Sequence, residues 1–167
     1  GDAVDNFGLL TVNSISGLGM GNNDQSVINS NLGIRYQGLE KLNITLGSGA
    51  DHFTVSAVSL GTTTTLDAAG GSDVLTIGDN LSEINAPLFI HGGADDKTTL
   101  KINSTGATTL TLKSDLGGQQ GILEGAPGLI AFEQLASLSV ALGDLTDHFI
   151  IEDTTTLLLL NTGNGLE

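Results

Sequence analysis

Two stretches of this chain decide its fold class: IRYQGLEKLNITLGSGADHFTV at residues 34–55 and IAFEQLASLSVALGDLTDHFII at residues 130–151. They align without a gap, and the tripeptide Asp-His-Phe is intact in both, beginning at Asp51 and at Asp147. The offset is 96 residues, since 147 − 51 = 96. Self-similarity of this kind indicates a repeat architecture, in which each unit packs against its neighbours.

The repeat extends in both directions from these stretches. Upstream, LTVNS at 10–14 matches LTLKS at 110–114 at an offset of 100 (110 − 10 = 100). The first copy therefore carries four extra residues (100 − 96 = 4), which we place within the polar stretch from Gly21 to Asn31. Downstream, LDAAGG at 66–71 resembles LNTGNG at 160–165 at an offset of 94 (160 − 66 = 94).

The domain organisation follows from these offsets. We predict a single β-solenoid segment over residues 1–167, with a first copy at 10–109 and a partial second copy at 110–167. The chain begins at Gly1 without an initiator Met. We therefore expect it to be a segment of a larger protein, so that any export signal or anchor would lie outside it.

A shorter rhythm runs inside the long repeat. From Ile44 to Leu66 there are 22 residues and from Leu66 to Phe89 there are 23 (66 − 44 = 22; 89 − 66 = 23), with a glycine-rich turn after each short β-prone segment. This spacing predicts an all-β fold, a right-handed parallel β-helix (β-solenoid) with rungs of about 22–23 residues. We expect almost wholly parallel sheet, with Ile44, Leu66 and Phe89 stacked. The main alternative is a β-sandwich, which also uses short strands and turns.

Composition and charge exclude several classes of partner. The 167 residues include 19 acidic and 5 basic side chains, for a formal net charge of −14. Nucleic-acid binding and docking on anionic membranes both depend on Lys and Arg, so neither is expected. No cysteine is present, which excludes disulfides and thiolate metal sites. No apolar run approaches the ~20 residues of a membrane helix, so direct membrane insertion is not expected.

Glycine-rich turns that close on Asp are the candidate metal site. They read LGSGADHFTV at 46–55, AGGSDVLTI at 69–77 and GGADD at 92–96, and a weaker version, with Leu145 in place of the second glycine, spans 143–149. The motif resembles the nonapeptide of RTX proteins, whose stacked turns bind calcium. That resemblance implies calcium as the one candidate cofactor. The candidate ligands are Asp51, Asp73, Asp95, Asp96 and Asp147.

The RTX comparison is incomplete, because RTX nonapeptides follow one another directly whereas these turns recur once per rung. Calcium prefers six to eight oxygen ligands. The simpler interpretation is that each Asp caps its turn by accepting hydrogen bonds from nearby backbone N–H groups.

The succession TVNSISGLGMG at 11–21, the stretch at 34–55, and TTTTLDAAGGSD at 62–73 resembles repeat modules of very large acidic bacterial surface and extracellular matrix proteins. The resemblance implies a structural spacer or adhesin module, secreted or at the cell surface. Its partners would be neighbouring repeats of the parent chain and cell-surface or matrix glycans.

Three further functions fit the sequence less well. His52 and His148 are copies of one repeat position, which favours a structural role over catalysis or a zinc site. A carbohydrate-active β-helix enzyme needs clustered bases or paired carboxylates, and the five basic residues are scattered along the sequence. We therefore predict no enzymatic activity. An ice-binding solenoid needs threonine pairs at one constant interval, and Thr63, Thr109 and Thr154 begin pairs at unequal intervals.

Overall fold

A computed structural model describes residues 3–20, 33–94, 97–106 and 108–164. The predicted position of the four extra residues lies outside these ranges. Within them the chain is all-β, and its one helical element is the 3-10 turn Leu81–Glu83. The strands are β1 Phe7–Leu10, β2 Ser14–Gly17, β3 Gly33–Arg35, β4 Lys41–Thr45, β5 His52–Val55, β6 Thr63–Asp67, β7 Val74–Ile77, β8 Leu88–His91, β9 Thr99–Ser104, β10 Thr109–Ser114, β11 Gly121–Glu124, β12 Ile130–Glu133, β13 Ser137–Leu142, β14 His148–Ile151 and β15 Leu157–Asn161.

The strands form two mixed sheets, neither of which is closed. Sheet I has the order β15-β13-β9-β7-β5-β1-β2-β3, and sheet II has the order β14-β10-β11-β12-β8-β6-β4. Nine of the thirteen strand pairs among the described residues are parallel. The predicted all-β class is confirmed.

Outside the two runs β1 to β3 and β10 to β12, the chain crosses from one sheet to the other at each step between strands. From β3 to β10 each strand lies in the sheet opposite to its predecessor, and the same alternation resumes from β12 to β15. Alternate residues are buried along the strands, as in the pattern of β6, because successive side chains of a strand point to opposite faces. The inward residues of both sheets form one hydrophobic cluster, in which Leu66, Leu75, Leu100 and Leu138 are at most 1% exposed.

The predicted stack of Ile44, Leu66 and Phe89 is wrong at its third member. Ile44 pairs with Leu66, but Leu66 pairs with Ile90, 24 residues further on (90 − 66 = 24). Phe89 lies opposite Thr65 and is only half-buried. The connection into β8 is one residue longer than the spacing suggested, and a one-residue shift turns every side chain to the other face.

The expectation of almost wholly parallel sheet is also wrong. β1, β2 and β3 form an antiparallel triplet in sheet I, and β10, β11 and β12 form a second one in sheet II. The links between β1 and β2 and between β10, β11 and β12 are only a few residues long. Such turns can join antiparallel neighbours, whereas parallel neighbours need a longer crossover.

The long repeat is visible in the strands, and its two copies occupy opposite sheets. By the sequence offsets, β10, β12, β13, β14 and β15 are the equivalents of β1, β3, β4, β5 and β6. β11 takes the place of β2 as the middle strand of its antiparallel triplet. β1 lies in sheet I and β10 in sheet II, while β4 lies in sheet II and β13 in sheet I. The chain changes sheet seven times between β1 and β10, at every step from β3 onward. Since seven is odd, the second copy starts in the sheet opposite to the first.

Candidate functional site

Four polar residues stand one above another on the side of the molecule where the chain enters sheet I. Asn6, Asp51, Asp73 and Thr98 directly precede β1, β5, β7 and β9, and these strands pair in parallel. All four are buried, with exposed fractions of 6%, 1%, 1% and 0%. We call these four residues the cap column.

Hydrogen bonds join the cap column from one strand to the next. The Asn6 N–H donates to Asp51 Oδ1 at 2.8 Å, and the Asp51 N–H donates to Asp73 Oδ1 at 2.8 Å. Asp51 Oδ2 also accepts the N–H of Gly47, in its own turn, at 3.1 Å. Hydrogen bonds to a carboxylate are stronger than bonds between neutral groups. The cap column therefore links neighbouring strands of sheet I, and Asp51 also caps its own turn.

Thr98 ends the cap column as a hydroxyl instead of a carboxylate. Its Oγ1 lies 2.5 Å from the Gly92 carbonyl oxygen and 3.3 Å from Asp73 Oδ2. A hydroxyl carries a single proton, and the shorter contact identifies the Gly92 carbonyl as its main acceptor. Neither Asn6 nor Thr98 was a candidate from the sequence. Both could have been identified in the sequence by their position directly before a β-prone segment.

The predicted calcium ligands are distributed over several places. Asp51 and Asp73 do stack, but both oxygens of Asp51 and Oδ1 of Asp73 already accept backbone N–H groups. Asp147 lies at the equivalent position before β14, in sheet II, far along the chain from the cap column. Asp95 and Asp96 lie outside the described residues. Within the described ranges no three His, Cys, Asp or Glu side chains are arranged to hold a metal ion, and calcium binding stays a prediction.

Asp147 repeats the capping contact of its counterpart in the first copy. It is 1% exposed, and its Oδ1 accepts the N–H of Thr108 at 2.8 Å. Its Oδ2 is buried, and no hydrogen-bond donor for it is found in the described part of the chain. The bond to Thr108 links β14 to the residue before β10, so a carboxylate before the strand serves the same purpose in both sheets.

The three histidines have separate surroundings. His52 stacks on Phe7, with ring centroids 4.7 Å apart and planes at 4°. His148 pairs in register with Thr109 on the edge of sheet II. His91 Nδ1 lies 2.5 Å from Glu133 Oε1, across the pairing of β8 with β12. Glu133 was not a candidate from the sequence, because it is 42 residues from His91 (133 − 91 = 42) and only the strand pairing brings the two together.

The remaining candidates stay dispersed. Thr63 lies on β6 and Thr109 on β10, separated within sheet II by β8, β12 and β11, so these two do not form one threonine array. Lys113 pairs with Glu124 at 2.6 Å on the surface, and that hydrogen bond raises the pKa of Lys113.

A surface groove of about 600 Å³ is lined by Val12, Asn13, Arg35, Tyr36, Gln37, Gly38 and Ser59.

Comparison of the chain with protein-family models, with curated proteins and with solved structures gave no match. Among the described residues, no helix has the length and apolar character that crossing a membrane would need.

Proposed function

We propose that this chain is a spacer or adhesin module of a large secreted or surface-attached protein, built as a right-handed parallel β-helix. Its partners would be neighbouring repeats of the parent chain and, in an adhesin, glycans of a surface or matrix. The observation that carries the proposal is that β10 to β15, the strands of the second copy, continue the same two sheets that β1 to β9 begin. Each added repeat lengthens the two sheets, so the number of repeats would set the distance between the two ends of the module.

The strand order gives the length that each copy would add. β1 to β9 supply six strands to sheet I and three to sheet II, and the next copy reverses these numbers because it starts in the other sheet. Two copies then add nine strands to each sheet (6 + 3 = 9). At a strand spacing of about 4.8 Å this is roughly 43 Å, or about 22 Å for each copy.

The interior supports a rigid module. Inward Leu and Ile residues form one buried cluster through both sheets, and the cap column ties β1, β5 and β7, three successive strands of sheet I, by hydrogen bonds at their starts. Solenoid stability is the sum of such contacts between neighbouring rungs, so a long array would be stiff along its axis.

The spacer proposal is tested by solution scattering from chains that carry one, two and three additional full copies of the repeat. The maximum dimension should rise linearly, by about 22 Å for each copy. A globular domain would instead grow with roughly the 0.38 power of its length. Sublinear growth would contradict the spacer function.

A calcium-dependent, RTX-like module is the second candidate, favoured by the stacking of Asp51 on Asp73. A ligand that binds only the folded state raises stability by RT ln(1 + [L]/Kd), about 2.7 kcal/mol at a hundredfold excess over Kd. If calcium binds the column, millimolar calcium should raise the melting temperature beyond sodium chloride of matched ionic strength, and Asp73→Asn should remove the difference. Equal shifts in the two salts would leave screening as the only effect and exclude this candidate.

A further inference from the structure

The end of the molecule formed by β14 and β15 exposes positions that the first copy buries. Val55 of β5 is 1% exposed, but its counterpart Ile151 of β14 is 50% exposed. Leu66 of β6 is 0% exposed, and its counterpart Leu160 of β15 is 40% exposed. The residue types are apolar in both copies, so the difference lies in what covers them.

In the first copy the covering elements are known. β7 lies on β5 in parallel, with Phe53 opposite Leu75 and Val55 opposite Ile77. β8 lies on β6 in parallel, with Leu66 opposite Ile90. β14 and β15 are the last strands of sheets II and I, so their outer edges have no partner strand in the described part of the chain.

We propose that the surface formed by β14 and β15 binds the β7–β8 portion of a further copy of the repeat, in the register that the first copy uses. This inference rests on the proposed function and adds the docking surface, the occupant and the register. The β7-like strand would join sheet II on β14, and the β8-like strand would join sheet I on β15. Phe149 would face the incoming counterpart of Leu75, and Leu160 that of Ile90.

The cap column adds a polar requirement to this apolar fit. Asp73 directly precedes β7 and receives the N–H of Asp51, the residue directly before β5. The incoming strand would therefore place a carboxylate next to the N–H of Asp147, the counterpart of Asp51. A β-strand edge by itself binds many chains, whereas a carboxylate at this position and Leu and Ile at alternate positions select one register.

The test is a variant in which the chain runs unchanged to Asn164 and continues with a second copy of residues 71–104. Asn164 corresponds to Gly70 at the offset of 94 (164 − 70 = 94), so the join keeps the repeat in phase. Hydrogen exchange of the β14 and β15 amides should slow by roughly tenfold or more relative to the 167-residue chain, because paired strands open less often than edges. A matched control carries the same extension with the copies of Leu75 and Ile77 replaced by Ser.

The register is measured by cross-linking, since the chain has no cysteine of its own. Ile150→Cys combined with Cys in place of the appended copy of Thr76 should form a disulfide, because Thr54 and Thr76 are opposite each other in the first copy. Ile150→Cys with Cys at the copy of Val74, two residues away, should stay reduced. Paired positions fall within the Cα separation that a disulfide requires, about 4.4–6.8 Å.

Three results would overturn the inference: a disulfide at the shifted pair, unchanged exchange in β14 and β15, or equal protection by the Ser control.

A concentration-dependent dimer of the unextended chain, blocked by Leu157→Ser and Leu159→Ser, would also overturn it. That result would show that the exposed outer face of β15 binds a second copy of the chain. If the cross-link shows a wrong register but the maximum dimension still rises linearly with copy number, the docking inference fails and the spacer function stands. If the register is correct but the maximum dimension grows sublinearly, only the spacer function is contradicted.

Discussion

At the scale of single residues, a buried carboxylate before a strand caps the backbone, as the simpler interpretation of the glycine-rich turns predicted. Asp51 accepts one N–H from its own turn and one from Asn6, directly before the neighbouring strand β1, and it is almost wholly buried. A buried N–H without a partner costs about 1–3 kcal/mol. The charge of Asp51 is therefore placed where backbone donors need an acceptor.

Replacing Asp51 by Ala should destabilise the fold by about 1–3 kcal/mol, because it removes the buried carboxylate that accepts the N–H groups of Asn6 and Gly47. Asp79→Ala, at an exposed position, removes the same charge and should change the free energy of unfolding by no more than about 0.5 kcal/mol. Urea denaturation measures both. Similar losses in the two variants would show that net charge matters and capping does not.

The two copies of Asp-His-Phe should respond differently to the same truncation. Phe53 is 1% exposed and Phe149 is only partly buried, because β14 is the last strand of sheet II. Phe53→Ala should cost about 3–5 kcal/mol, the usual range for a core phenylalanine. Phe149→Ala should cost at least about 1 kcal/mol less, since less area is removed from water. Equal losses in denaturant titration would contradict the difference in burial.

At the scale of elements, successive glycine-rich turns are in close contact. Gly71 has φ +120°, and a Cβ built on it would lie 1.9 Å from the carbonyl oxygen of Gly49 in the turn below. Its neighbour Gly70 has open space around the same position. The glycine-rich turns therefore contain one residue that must be glycine beside one that need not be.

Gly71→Ala should destabilise the fold strongly, because the backbone of two stacked turns has to separate to admit the methyl group. Gly70→Ala is the matched control, and it should be neutral or slightly stabilising because alanine restricts the unfolded chain. Thermal melting of both variants checks this. A melting temperature for Gly71→Ala equal to that of the parent chain would mean that the turns are not in contact.

The turn between β10 and β11 should depend on pH. Hydrogen bonds from the N–H groups of Gln120 and Gln119 to Asp115 Oδ1, at 2.9 and 2.7 Å, lower the pKa of the Asp115 carboxyl. A lowered folded-state pKa contributes stability that is present above the unfolded value, about 3.9, and is lost as the pH falls through the folded value. Amide exchange at these two glutamines, corrected for intrinsic rates, should rise in acid, and Asp115→Asn should abolish the dependence.

At the scale of the whole molecule, the central strands of sheets I and II are covered on both edges, and the terminal strands are covered on one. β7 and β9 have a parallel neighbour on each side, whereas β3, β4, β14 and β15 have one neighbour each in the described chain. The exposed fraction follows this order, since Leu75 and Leu100 are buried while Ile34 is 56% exposed.

Hydrogen exchange should form a gradient along each sheet in the 167-residue chain. Amides of β7 and β9 should be the slowest, and those of β3 and β15 the fastest, because terminal strands fray without global unfolding. Exchange resolved by mass spectrometry measures every strand at once. Protection in β15 equal to that in β9 would contradict the gradient and would indicate that another molecule already covers the end.

The sequence by itself determined the all-β class, the strand-and-turn rhythm and the equivalence of the two copies, because these depend on period-two alternation and on identity at a fixed offset. It also placed Asp51 and Asp73 at the same point of successive glycine-rich turns, 22 residues apart (73 − 51 = 22).

Only the tertiary structure decided the register at Ile90, the antiparallel triplets, the pairing of His91 with Glu133 and the exchange of sheets between copies. Each of these depends on the length or direction of a connection between strands. Adding one residue to such a connection reverses which side chains of the next strand face inward. Adding one crossing reverses which sheet the next copy enters. In both cases the sequences of the strands themselves stay the same.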